Sequence, residues 1–443
     1  MPSKTLRIAI FALFGLFFAL SLPALADVEV AFDANPSRLG DPVSVSVSGL
    51  EPGQTVQVQA TRRNDSGDVW YQSNAMFEAN DQGQVMPMAQ APISGDWTDS
   101  DGYGAFWSMQ RHEEVLLDEL PEDTVRFRVL DPESDAVLAE ADLERAMSFI
   151  ETEEISLDEA FQGAYIQKPV IHETPLPVVI LLGGSEGNDR GSRSMAPYFA
   201  ARGYAAVGLP YYSPAWGDQE QQFPDLPRGF VDIPVDRMGE LIEHLKTIED
   251  LDASRIALFG VSKGAEFVLL AGTRTEGISA IAAIVPTDVV WEGWGGGPGE
   301  PPSSFSFDGE ALPFVPYDGM QNVFLPDEDP NKITMSEAHQ RGRDNNPDRI
   351  AAARIPVEEI DVPVFVAGGL KDETWPSGAM AQSIARTRQT AGKPTTALVF
   401  ADAGHFLSSP PDRPTIAATA AARQEIWPAL LAFMAQNLAE GEM

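Results

Sequence analysis

From Arg255 to Thr273 the sequence reads RIALFGVSKGAEFVLLAGT: an apolar run, a Gly-x-Ser-x-Gly pentapeptide and a second apolar run of helical length. No other stretch constrains the fold as much. A buried strand that turns into a helix within a few residues needs glycines where the two backbones meet, and it lifts the central serine above the C-terminal edge of a sheet. Such a turn requires neighbouring strands and covering helices, and the flanking sequence supplies both. VVILLGG (178–184), YAAVGLPYY (204–212), ISAIAAIVP (278–286), VPVFVAGG (362–369) and TALVFADAG (396–404) read as strands. Helices are predicted over 194–203, 237–249, near 377–390 and over an Ala-rich stretch from Thr415 to Leu438. Repeated strand and helix units imply a mainly parallel, doubly wound sheet covered on both faces.

Before Leu157 the pattern is different. VSVSVSG (43–49), TVQVQA (55–60) and VRFRVL (125–130) alternate apolar and polar residues with period two, separated by turn signals such as Glu51-Pro52-Gly53. This predicts an all-β sandwich over residues 27–150, with the α/β domain occupying 151–443. Within that domain, about 287–346 interrupts the rhythm with EGWGGGPGEPPSS and with Trp291, Trp294, Phe305, Phe307, Phe314 and Tyr317. So aromatic an insertion is expected to be an ordered lid or binding loop. Trp291 and Phe314 are its expected pocket residues.

Residues 1–26 have the form of a secretory signal: Lys4 and Arg7, the apolar run IAIFALFGLFFAL, then Ala24-Leu25-Ala26. The mature chain is therefore expected to begin at Asp27, to be exported to the periplasm or beyond, and to have no membrane attachment after cleavage. The chain has 66 acidic against 30 basic residues, a formal charge of −36. Loss of Lys4 and Arg7 would take it to −38. Such a field repels polyphosphates and anionic headgroups, which argues against nucleic-acid partners. With no cysteine, disulfides, thiolate metal sites and a thiol nucleophile are excluded. No cofactor or metal is expected.

A serine hydroxyl needs a base to take its proton and an acid to hold that base. Of five histidines, His112 ends the sandwich, His172 precedes a strand, His244 lies in a surface helix and His339 in the insertion. His405 alone follows a late strand, in ADAGHF, where α/β-hydrolases place the base. Asp372 stands just beyond VPVFVAGG, completing the order Ser, Asp, His; Glu373 and Asp402 are its rivals. An oxyanion hole is expected from the backbone N–H of Lys263, together with that of Ser185 or Gly184 in the turn Gly183-Gly184-Ser185-Glu186-Gly187. Neither a Walker pattern nor Gly-x-Gly-x-x-Gly is present, so these glycines do not read as a phosphate cradle. The Lys263 side chain is expected to be outward and solvated.

Taken together these residues resemble the acyl-CoA thioesterase and bile acid-CoA:amino acid N-acyltransferase family of α/β-hydrolases. In the N-terminal half the resemblance rests on DPVSVSVSGLEPGQTVQVQA, APISGDW and GYGAFWSM. In the C-terminal half it rests on FGVSKGAEFVLLAG, SFSFDGEALPFVPY, IPVEEIDVPVFVAGGLKDETWPS and AGHF. It covers most of residues 36–410. It implies an immunoglobulin-like N-terminal domain, an insertion that belongs to the fold, and Ser262, Asp372 and His405 as a triad. Transferase members characteristically use a cysteine nucleophile, so the absence of cysteine implies hydrolysis. The expected activity is hydrolysis of a small-molecule acyl thioester or carboxylic ester through an acyl-enzyme on Ser262. The alternatives are an exported carboxylesterase or peptidase, or a non-catalytic binding protein on a hydrolase scaffold.

Overall fold

A computed structural model describes residues 27–63, 69–117, 119–215, 220–295 and 301–439. The expected signal at 1–26 and the Gly-rich part of the insertion at 296–300 lie outside the described residues.

The C-terminal region is built on an eight-stranded sheet: β1 (Thr152–Ser156), β2 (Tyr165–Pro169), β3 (Leu176–Leu182), β4 (Ala205–Gly208), β5 (Leu251–Val261), β6 (Ala280–Ile284), β7 (Val364–Gly369) and β8 (Thr395–Phe400). Their spatial order is β1-β2-β4-β3-β5-β6-β7-β8. The first two strands run antiparallel to their neighbours, and all pairings from β4 to β8 are parallel. The sequence pattern did not single out β1 and β2, whose mixed polar residues give no clean period.

Central strands are apolar at every position because both faces are covered. Along β3, Val178, Ile180 and Leu182 enter one core, whereas Val179 and Leu181 enter the other, as the two-residue repeat of a strand demands. The first core takes α2 (Arg237–Leu245), α3 (Lys263–Gly272) and α4 (Ser377–Thr390); the second takes α1 (Arg190–Ala200) and α5 (Ala417–Asn437). In α2 the buried residues Met238, Leu241, Ile242 and Leu245 mark one helical face at spacings of three and four.

The N-terminal region is mainly β, with one short helix at Gly104–Trp107, where the sequence pattern predicts strands alone. Glu29–Phe32 pairs with Val45–Ser48 in a two-stranded sheet, and a seven-stranded sheet includes Thr55–Arg63, Trp70–Glu78, Thr124–Leu130 and Val137–Ala146. Both sheets contribute to one core, through Val30 and Val47 on one side and Val56, Phe77, Phe127 and Val129 on the other. Ala420 of α5 joins that core, and the fully buried Arg145 guanidinium lies 3.0 Å from the Asp412 carboxylate. The β region is thus docked on the C-terminal helix.

Candidate active site

Ser262 sits between β5 and α3 with φ +57° and ψ −118°, a backbone conformation unfavourable to any residue with a Cβ. The flanking glycines make it possible. A Cβ on Gly260 would lie 2.2 Å from the Gly264 carbonyl oxygen, and one on Gly264 would lie 2.3 Å from that of Gly183. Strand, helix and neighbouring strand approach more closely here than any side chain permits. The Ser262 N–H donates to the Ile284 carbonyl at 3.0 Å, which holds the turn to β6.

The loops after β7 and β8 bring the other two predicted side chains to this turn. His405 Nε2 is 3.1 Å from Ser262 Oγ, and His405 Nδ1 is 2.8 Å from Asp372 Oδ2. Since a carboxylate only accepts, Nδ1 carries the imidazole proton and Nε2 offers a lone pair to the serine hydroxyl. Asp372 is buried and held in place. Its Oδ1 accepts from the N–H groups of Thr374 and Trp375 at 2.9 and 3.2 Å, and its Oδ2 from the Ser377 hydroxyl at 2.5 Å. The rivals Glu373 and Asp402 are exposed. Of the remaining histidines, His112 pairs within the N-terminal sheet, His172 faces Lys168 and His244 stacks edge-on against Phe161.

The loop between β3 and α1 faces Ser262. The Tyr211 hydroxyl donates to the carbonyls of Gly183 and Gly184 at 2.8 and 3.1 Å, and the Tyr212 hydroxyl donates to that of Ser185. Burial pushes the Tyr211 phenol well above its ordinary range, so it remains a donor. The Gly184 N–H differs from expectation: it donates to Glu186 Oε1 at 2.9 Å. A carboxylate one turn along the loop has claimed it, which leaves Ser185 and Lys263 as the expected donors.

The Lys263 side chain is also not where the sequence put it. It is buried, with Nζ 2.8 Å from Glu266 Oε2 and 2.9 Å from Ser304 Oγ. Its partner is three residues along the same helix, a spacing that places side chains on one face, and the insertion closes over the pair. Burial lowers the Lys263 pKa and raises that of Glu266, each opposed by the other's charge. Glu266 Oε1 accepts from the Trp291 N–H at 3.0 Å. The aromatic rings of Phe230 and Trp294 lie 5.5 Å from the ammonium. The signal for this pair, Lys-x-x-Glu at the start of α3, was present in the sequence.

Two cavities meet at Ser262, sharing Ser185, Met335 and Thr374. One, of about 500 Å³, runs along the loop between β3 and α1 past Glu186, Met195, Phe406 and Ser408. The other, of about 480 Å³, runs under the insertion and is lined mainly by Trp294, Tyr317, Met320, Phe324, Met335 and Trp375. Trp291 and Phe314, the expected pocket residues, do not line it. Trp291 is fully buried behind the wall, stacked on Tyr317 with its indole N–H on Thr287. Phe314 faces the main core and the Arg349 guanidinium. Aromatic content marked the right segment, but which rings face inward depends on how the segment folds back on itself.

The second cavity contains a group that no motif or spacing singled out. His339, in the helix Met335–Asn345, is almost fully buried, and its Nδ1 lies 2.7 Å from the Met335 carbonyl. Burial drives its pKa down to about 3. Among the described residues, no cluster of His, Asp or Glu is arranged to hold a metal ion.

The chain is similar to known proteins. Acyl-coenzyme A thioesterase 1 from Rattus norvegicus is 25% identical over 85% of this chain and 84% of its own length. Mitochondrial acyl-coenzyme A thioesterase 2 from Mus musculus is 26% identical over 84% of this chain and 77% of its own. Among solved structures, an α/β hydrolase enzyme from a Medee basin deep-sea metagenome library is similar over 66% of this chain and 99% of its own, at 14% identity and a TM-score of 0.40. Residues 40–159 match the N-terminal region of the acyl-CoA thioester hydrolase/BAAT family, and residues 238–440 match its C-terminal region. Two models of one family, met in order along one chain, make this protein a member of the acyl-CoA thioester hydrolase/BAAT family.

Proposed function

We propose that the protein is a serine hydrolase that cleaves acyl thioesters or esters through an acyl-enzyme on Ser262. The observation that carries this reading is the hydrogen-bonded series from Ser262 Oγ through His405 to Asp372. In the first step His405 Nε2 takes the hydroxyl proton as Oγ adds to the substrate carbonyl, and Asp372 stabilises the imidazolium. The N–H groups of Lys263, at the start of α3, and of Ser185 receive the oxyanion. His405 then protonates the departing alcohol or thiol, and water repeats the sequence to release the acid. The apolar cavity under the insertion suits the acyl chain, and the cavity past Glu186 suits the leaving group.

Whether the leaving group is coenzyme A, as in the names of the relatives, turns on charge. Among the described residues the leaving-group cavity has Glu186 and no lysine or arginine in its wall, and the one cation of the acyl cavity, Lys263, is already paired. Nothing there repays the desolvation of a polyphosphate. This favours a neutral ester or small thioester, and it agrees with export of a chain that begins at Asp27 after loss of residues 1–26. In that setting the N-terminal region is an immunoglobulin-like sandwich bracing α5.

Ser262→Ala is the direct test. It should abolish turnover and labelling by a fluorophosphonate, with kcat falling on the order of 10⁴–10⁶-fold; near wild-type turnover would refute the nucleophile. Comparing kcat/KM for matched acyl-CoA and acyl-ester substrates, with N-terminal sequencing of the native protein, decides leaving group and location.

A further inference from the structure

The acyl cavity is apolar apart from a few groups, and most of those are already engaged. Lys263 is bound to Glu266 and Ser304, and Glu292 accepts from the Tyr317 N–H at 3.0 Å. His339 is different. Its Nδ1 lies against the Met335 carbonyl, and a carbonyl only accepts, so the proton sits on Nδ1. Nε2 is left as a bare acceptor, and among the described residues no donor reaches it. The ring is boxed by Trp291, Tyr317 and Trp375, at centroid distances of 4.6, 4.8 and 5.8 Å. The indole N–H groups of Trp291 and Trp375 are engaged elsewhere, by the Thr287 hydroxyl and the Val285 carbonyl. His339 lines the cavity, so Nε2 opens onto it without a protein partner, and an acceptor set in an otherwise apolar wall is satisfied only by what enters the cavity.

The ring is also placed with respect to the chemistry. Trp375 lies between two imidazoles, with His339 at 5.8 Å and His405 at 6.1 Å. Ser262, Trp375 and His339 line one cavity, so an acyl chain held on Ser262 and lying under the insertion shares its wall with both rings. We propose that His339 Nε2 accepts a hydrogen bond from a hydroxyl on the acyl chain, so that the substrate acid is a hydroxylated, otherwise apolar acid with its hydroxyl several carbons from the carbonyl. This rests on Ser262 being the nucleophile and on the acyl chain lying under the insertion.

The test is a positional series. Activated esters of one straight-chain acid are compared with the same acid carrying a single hydroxyl moved along the chain. In the wild type one position should exceed the unsubstituted chain by about tenfold in kcat/KM. His339→Phe should abolish that ratio, and His339→Gln, whose amide oxygen can accept, should restore part of it. Fluorophosphonate labelling of each variant reports separately that the fold and Ser262 are intact. A wild type that disfavours the hydroxyl at every position, or a preference that survives in His339→Phe, overturns the assignment while Ser262-dependent turnover leaves the hydrolase reading standing. Turnover that survives Ser262→Ala removes both.

Discussion

The segment around Ser262 and the insertion over it form one site by opposite means. From Arg255 to Thr273 all that matters is local: an apolar strand, two glycines, a serine forced to a positive φ, and a helix. The insertion is held by distant attachments. Phe305–Phe307 pairs with Ile233–Pro234, Arg343 reaches Asp288 at 2.7 Å, and the Trp291 N–H and Ser304 hydroxyl fasten to Glu266 and Lys263. In the proposed reaction the first region supplies the nucleophile and the second a wall. The difference teaches that the wall is no loose lid. It is bolted to the helix that begins beside the nucleophile, through a buried ion pair.

If that division is right, damage to the reacting groups and damage to the bolt have different signatures. Asp372→Asn should give the largest effect after loss of the serine itself, a fall in kcat on the order of 10⁴-fold with stability nearly unchanged, because the amide favours the wrong tautomer of His405. An Asp402→Asn change that proved more damaging would show that the acid had been misplaced.

Glu266→Gln strikes the bolt. It leaves the Lys263 ammonium buried against Phe230 and Trp294 without its counter-charge, and a loss of about 3–5 kcal/mol in unfolding free energy is expected. Replacing both residues with Met and Leu should recover most of it, since an apolar pair of similar volume avoids the desolvation of two charges. Denaturant titration of the two variants beside the wild type measures this directly. A loss within the ~0.5 kcal/mol range of surface changes would mean that the insertion is held elsewhere.

The same contrast explains what could be read from sequence. The strand and helix units, the serine turn, and the positions of Asp372 and His405 after β7 and β8 follow from periodicity and chain order. Each is set by residues close together in sequence. Lys263 was misjudged because a lysine at the start of a helix is ordinarily solvated; its burial depends on Ser304, some forty residues away, closing over it. Gly184 was misjudged because its N–H is taken by the side chain of Glu186, and a sequence motif does not show which way a carboxylate folds. Trp291 and Phe314 were chosen for size and aromaticity, which locate a wall but not its inner side. His339 had no signal at all, since its meaning comes from three surrounding rings contributed by different turns of chain.

His339 also sharpens the comparison through pH. Its pKa falls from the ordinary 6.5 to about 3 because burial disfavours the charged ring, with the Lys263 and His405 charges acting in the same direction and the Met335 carbonyl and Asp372 opposing. A base whose folded pKa is depressed gives full stability above 6.5, and stability is lost as pH falls from there toward about 3. Between pH 7 and pH 5 the loss from this one group is about 2 kcal/mol. In His339→Phe that increment should vanish from the pH dependence of unfolding, whatever the variant's overall stability. An unchanged slope would show that the ring is already reached by water.

The smallest effect separates the rings that face the cavity from those behind it. Trp294 lines the acyl cavity, with its ring 4.4 Å from Phe230. Phe314 lies outside the cavity, against the core and Arg349. Removing Trp294 opens the wall against which distal methylenes pack, and each buried methylene contributes about 0.8 kcal/mol. Trp294→Ala should therefore change the ratio of kcat/KM between long-chain and short-chain esters by about 1–2 kcal/mol, roughly five- to thirtyfold, while an acetyl ester, too short to reach the indole, responds much less. Phe314→Ala should lower stability and leave that ratio where it was. The two substitutions remove aromatic rings from one insertion, so any difference in their ratios reports which ring faces the acyl chain. If Phe314→Ala shifts chain-length preference as strongly as Trp294→Ala, the insertion acts on the substrate through its overall stability, and the cavity under it is not where the acyl chain lies.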